Sequence, residues 1–85
     1  MHTVELLEQA LAMARQLGFL VREEWLGTGG GSCMFKGRRC LFVDLALNHR
    51  EQLDQVLAAI SEADEQTILK FPPPLRELLT LRKAA

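Results

Sequence analysis

The stretch that decides the fold is Gly27-Thr28-Gly29-Gly30-Gly31-Ser32-Cys33-Met34-Phe35-Lys36-Gly37-Arg38-Arg39-Cys40-Leu41-Phe42-Val43-Asp44. A glycine run feeds a short strand, Lys36-Gly37 folds it back, and a strongly apolar strand follows. The segment is a hairpin over Ser32 to Lys36 and Arg38 to Leu45. With Lys36-Gly37 as a two-residue loop, Phe35 faces Arg38, Met34 faces Arg39 and Cys33 faces Cys40. A three-residue loop with Gly37 as a bulge would offset the cysteines instead. Cys40-Leu41-Phe42-Val43 is apolar at every position, which describes a central strand covered on both sides.

Upstream, Val4, Leu7, Leu11, Ala14 and Leu17 recur at helical spacing, widened by Leu6, Ala10 and Met13. Thr3 is the expected N-cap, Glu5 and Glu8 suit the positive end of the helix, and Gly18 sits where an αL cap belongs. Phe19 to Trp25 then alternates, with Phe19, Val21, Glu23 and Trp25 on one face and Leu20, Arg22, Glu24 and Leu26 on the other. Its far end turns polar, as an edge strand does. Downstream, Asn48 and Glu51 form a capping-box pattern, and Leu53, Val56, Leu57 and Ile60 give a second apolar stripe. Glu62-Ala63-Asp64-Glu65 marks the end of that helix. Thr67 to Phe71 is expected to be extended, because Phe71 precedes proline. Pro72 and Pro73 make a rigid elbow, and Pro74 opens a last helix carrying Leu75, Leu78, Leu79 and Arg82. The expected fold is α+β, ordered α-β-β-β-α with a small antiparallel sheet, then a Pro-rich elbow and a short C-terminal helix. It forms a single domain over 1–85, with 72–85 as elbow and helix, and shows no internal repeat.

At 85 residues the chain is near the lower limit for a self-sufficient core, yet 48% of it is apolar. Few helices and a doubly apolar central strand call for help in covering the sheet, so a homodimer burying the second face is expected. A net charge of -1 argues against a dedicated nucleic-acid binder, which needs a basic excess. The cysteines are too few for a disulfide scaffold. Neither a signal-peptide pattern nor a bilayer-length apolar run is visible, so the expectation is a cytoplasmic protein with reduced thiols and no membrane partner.

The residues able to do chemistry cluster around the hairpin. Gly29, Gly30, Gly31 and Ser32, with Cys33 and Cys40, are candidate ligand-binding residues, since successive backbone N–H groups in turns make an anion nest. A P-loop, however, needs Gly-Lys-Ser/Thr opening a helix, whereas Ser32 leads into a strand. The dinucleotide fingerprint needs glycine at position 32 and a following helix. The plainer role for these glycines is to let one strand pack closely on its neighbour. Cys33 and Cys40, separated by six residues, lack paired zinc-ligand spacing even with His2 and His49 added, so neither a metal nor another cofactor is expected. A disulfide is geometrically open to them if they face each other, although a cytosolic setting disfavours it. Cys33, His49 and Asp44 have the residue types of a thiol hydrolase, but Cys33 lies in a strand rather than at a helix N-terminus. Lys36, Arg38 and Arg39 form a basic hairpin tip able to meet RNA or an acidic protein, with Trp25 as a stacking platform. The same charges also guard a sheet edge against aggregation.

Leu17-Gly18, Gly30-Gly31-Ser32-Cys33, Gly37-Arg38, Leu41-Phe42-Val43-Asp44 and Glu51-Gln52 together resemble the recurring pattern of a group of small bacterial proteins. The resemblance covers most of the chain and brings no activity with it. The order of helix, hairpin and second helix is also similar to that of minimal zincin-type metallopeptidases. Their His-Glu-x-x-His helix corresponds here to Glu51-Gln52-Leu53-Asp54-Gln55-Val56-Leu57-Ala58-Ala59-Ile60, which has no histidine. That likeness implies a scaffold lacking the catalytic metal site. The leading expectation is therefore a non-enzymatic interaction or assembly module acting as a homo-oligomer, with room for a further protein partner. The alternatives are a small-ligand or metal-binding protein using Gly27 to Ser32 with Cys33 and Cys40, and an RNA-contacting module using Lys36, Arg38 and Arg39.

Overall fold

Short-range signals set the ends of most elements. The computed structural model describes residues 2–84 and shows an α+β fold. Helix α1 (Thr3–Gln16) ends at Gly18, whose φ of 96° is a left-handed value that favours glycine. Gly18 N–H donates to Arg15 and Phe19 N–H to Ala14, the paired bonds of a Schellman cap. The start of α1 corrects the expected cap: Thr3 is already inside the helix, and His2 holds the N-cap position without a side-chain hydrogen bond. Helix α2 (His49–Ile60) begins with the expected capping box, Glu51 N–H donating to Asn48 and Asn48 N–H to the Glu51 carboxylate. Gln52, buried beside it, donates through Nε2 to the Leu47 carbonyl and ties the helix start to the preceding turn.

Strands β1 (Leu20–Glu24), β2 (Gly31–Phe35) and β3 (Arg38–Asp44) form one sheet in the order β1-β3-β2. Lys36 and Gly37 both take positive φ, 52° and 76°, which makes the two-residue turn type I′. Phe35 accordingly pairs with Arg38, Met34 with Arg39 and Cys33 with Cys40. The fully antiparallel sheet expected from the sequence is corrected at the other edge, where β1 runs parallel to β3 and Leu20 pairs with Cys40. The cause is the connection over residues 25–30. A tight turn would have set β2 against β1, whereas this loop is long enough to bridge two strand spacings, about 10 Å. Strand β3 enters the gap. Being antiparallel to β2 through the hairpin, it must be parallel to β1.

The sequence reading of 67–71 as extended also needs correction. Helix α3 (Glu65–Ile68) occupies part of it, capped by Asp64, which accepts from Thr67 N–H at 2.8 Å. This turn buries both Ile68 and Phe71, which an extended segment would have pointed in different directions. Helix α4 (Pro73–Ala84) starts one residue earlier than expected. Pro73 and Pro74 have no N–H to leave unsatisfied in its first turn, and Pro72 supplies the carbonyl that accepts from Arg76 N–H.

The helices share one core with one side of the sheet. Leu7, Ala10, Leu11 and Ala14 of α1 meet Leu53, Val56, Leu57 and Ile60 of α2, while Leu75 and Leu79 of α4 join them. From the sheet this core takes Leu41 and Val43 of β3, with Val21 of β1 at its margin. Strand alternation sends Leu20, Phe35, Cys33, Cys40 and Phe42 to the other side, outside that core. Among the described residues no helix is long and apolar enough to cross a membrane.

Two substitutions test the local readings. Asn48→Ala removes a side-chain acceptor from the start of α2 and is expected to cost about 1 kcal/mol in urea unfolding. Gly30→Ala should cost more than Gly27→Ala, although both positions have positive φ. A Cβ at Gly30 would lie 2.3 Å from the Phe42 carbonyl oxygen, whereas one at Gly27 meets nothing within 4 Å. Equal losses for the two glycine variants would refute the close-approach role of Gly30.

Candidate functional site

The sites suggested by the sequence lie on both faces of the sheet and at its ends, and Asp44 organises one end of the face turned away from the helices. Asp44 closes β3, is fully buried, and shares its face with Phe42 and Cys40. A carboxylate removed from water needs donors for its lone pairs. The loop over 25–30 supplies them as it crosses the strand end. Leu26 N–H donates to Oδ1 at 3.0 Å, Gly29 N–H to Oδ2 at 2.8 Å, and Ala46 N–H from the following turn to Oδ1 at 2.9 Å. Burial alone would raise the pKa of Asp44. The N–H groups of Ala46, Gly29, Leu26 and Gly27 outweigh it and lower the value from 3.8 to about 2. The glycine loop does cradle an anion, and that anion is the protein's own.

This arrangement redefines the first candidate set. Gly29 offers its N–H to Asp44, Gly30 presses against the Phe42 carbonyl, and Gly31 and Ser32 are already in the β2 ladder opposite Phe42 and Leu41. Cys33 and Cys40 are brought directly opposite each other as free thiols, Cys33 exposed and Cys40 buried. Cys40 is walled by Leu20 on one neighbouring strand and Cys33 on the other. The hydrolase-like grouping is not assembled. Cys33 lies opposite Cys40, four residues along β3 from Asp44, a separation of about 13 Å. Asp44 is enclosed by backbone donors, and His49 is exposed at the start of α2. Among the described residues no group of three or more His, Cys, Asp and Glu side chains converges as a metal site would.

The basic tip is divided by the strand pleat. Arg38 takes the face of Cys40, while Arg39 takes the helix side. There its guanidinium lies 4.6 Å from the centre of the Phe19 ring and donates to the Leu17 carbonyl at 3.0 Å. Lys36 folds back over Phe35, 5.4 Å from the ring centre. Trp25, expected to end the first strand, lies just beyond β1 with 77% of its surface exposed. Ser32, Cys33 and Arg39 do border one small open recess of about 130 Å³, lined also by Phe19, Met34 and Glu62.

In the sequence Asp44 stands out only as a possible catalytic partner, and its structural role emerges from the fold. The available signal was an acidic residue closing an apolar strand, in a chain whose glycine run needed an acceptor. A larger concavity also emerges only from the fold, an open groove of about 770 Å³ between α3 and α4 lined by Ile68, Leu69, Leu79 and Leu81. Its residues come from two short segments whose apposition depends on the proline elbow. Comparison of the chain with protein-family models, with curated proteins and with solved structures gave no match.

The Asp44 cradle has a pH signature. The folded state holds this carboxyl proton less tightly than the unfolded chain does. The carboxylate therefore contributes stability that is fully present above about pH 4 and disappears as the pH falls from 3.8 through about 2. Asp44→Asn keeps the size but turns an amide donor toward backbone donors. Its urea midpoint should lie well below that of the unmodified chain at about pH 7, and the gap should close toward pH 2. Asp64, whose pKa is lowered chiefly by the N–H and hydroxyl of Thr67, is present in both proteins and cancels from the comparison. A gap that stays constant across this range would show that the carboxylate charge does not hold the loop.

Proposed function

We propose that this protein is a non-enzymatic assembly module that works as a homodimer in the cytoplasm, a second copy covering the sheet face turned away from the helices. The observation that carries the reading is the group of exposed apolar side chains on that face in a single protomer, set among the charged Arg22, Glu24 and Arg38. Phe35 is 60% exposed, Leu20 is also exposed and Phe42 is half-buried, with Trp25 and Leu26 exposed at one border. A sheet buries such a face only against another layer, and the helical core of this chain lies wholly on the other side. A second copy fits for two reasons. It offers a sheet of identical dimensions, and a net charge of -1 per chain sets little repulsion against pairing. A standard interface takes about 800 Å² from each partner. That is roughly one seventh of the 5455 Å² surface of the protomer.

The alternatives have less support. Donors that a ligand anion would need in the glycine loop already serve Asp44, and Arg38 and Arg39 point to opposite faces. Light scattering between about 1 and 100 µM, a range in which an interface of this size associates, should give twice the 9.6 kDa protomer mass. Phe35→Glu should return the mass to that of a monomer while leaving urea unfolding of the protomer within about 0.5 kcal/mol. A monomer across the whole range, or a dimer indifferent to both Phe35→Glu and Leu20→Glu, overturns the reading.

A further inference from the structure

We propose that Cys33 and Cys40 form a reversible dithiol–disulfide pair, in which Cys33 exchanges first with a small-molecule disulfide of the glutathione class and Cys40 resolves the product. The type I′ turn at Lys36-Gly37 fixes the register that sets the two residues directly opposite. Counting from the Phe35–Arg38 pair at the turn, Cys33–Cys40 is again a hydrogen-bonded pair, with Cα atoms about 5.5 Å apart. Disulfides span about 4.4–6.8 Å between Cα atoms, a range that includes this pair. They draw the Cβ atoms from the roughly 5.5 Å of a hydrogen-bonded pair to about 4 Å, so the bond closes with a local shift of the two strands and is correspondingly easy to reduce. Both side chains point to the same face, away from the helical core.

Exposure assigns the roles. Cys33 is open to solvent, whereas Cys40 is only 2% exposed, its Sγ resting 3.8 Å from the Arg38 carbonyl. A dissolved disulfide therefore reaches Cys33 and not Cys40. The Cys33 thiolate attacks one sulfur of the small disulfide, its S–S bond breaks, and one small thiolate leaves and takes up a proton. Cys40, giving up its own proton, then attacks the Cys33 sulfur, and the second small thiolate leaves as the intramolecular S–S bond closes. Two protein thiols are oxidised and one small disulfide is reduced to two thiols, so no other oxidant is needed. Excess small thiol reverses both steps. The bond lies within one chain, so the proposal does not rest on the dimer, and dilute protein separates the two.

The test is incubation of the full chain at sub-micromolar concentration with glutathione disulfide, then acid quench, alkylation and intact-mass measurement. The unmodified chain should end two hydrogens lighter and resist alkylation, and excess reduced glutathione should restore both thiols. Cys40→Ser and Cys40→Ala should both stop with glutathione attached to Cys33. Cys33→Ser should keep Cys40 free over the same period. Circular dichroism on the two Cys40 variants guards against misreading a folding defect. Persistent glutathione on Cys33 of the unmodified chain, or two alkylatable thiols after equilibration with excess glutathione disulfide, overturns the proposal.

Discussion

A carboxylate buried at the end of a central strand must be met by donors, and in this fold the donors come from the loop that crosses that strand end. The contact of Asp44 with the N–H groups of Leu26 and Gly29 joins the two edges of the sheet. It closes the loop over β3 and so fixes β1 and β2 on opposite sides of that strand. The parallel pairing of β1 follows, as does the close passage of Gly30 over the Phe42 carbonyl. The low pKa of Asp44 is the electrostatic record of the same contact.

The sheet is consequently asymmetric. One side carries Leu41 and Val43 into a core shared with four helices, and the other carries Cys33, Cys40 and Phe42 away from it. The helices of the described residues all pack on the first side. The bare side offers exposed apolar side chains and a cross-strand pair of thiols, and the groove between α3 and α4 is a separate apolar surface.

Much of this was legible from the residues. The Gly18 cap, the Asn48–Glu51 capping box and the Lys36-Gly37 turn, with its two possible cysteine registers, are each written within a few positions. Legibility failed where a distant contact decided the outcome. Phe71 before proline argued for extension over 67–71, but burial of Ile68 and Phe71 with the Asp64 cap favoured a helical turn. Lys36, Arg38 and Arg39 read as one basic tip because they are neighbours in sequence. The pleat and the Phe19 ring separate them in space. The glycines read as a possible phosphate nest because their acceptor lies 15 residues further on from Gly29.

By itself the sequence determined the α+β class, the hairpin with two possible registers, the Gly18 and Asn48–Glu51 caps and the apolar stripes. Each rests on backbone geometry and on hydrogen bonds between near neighbours, which short windows of sequence specify. Tertiary structure alone decided the direction of β1, the partner of the glycine loop and the division of the sheet into a covered and a bare face. Those depend on which strand fills the gap between β1 and β2 and on where a buried carboxylate finds its donors. Both are set by the closure of the whole chain and not by any one segment.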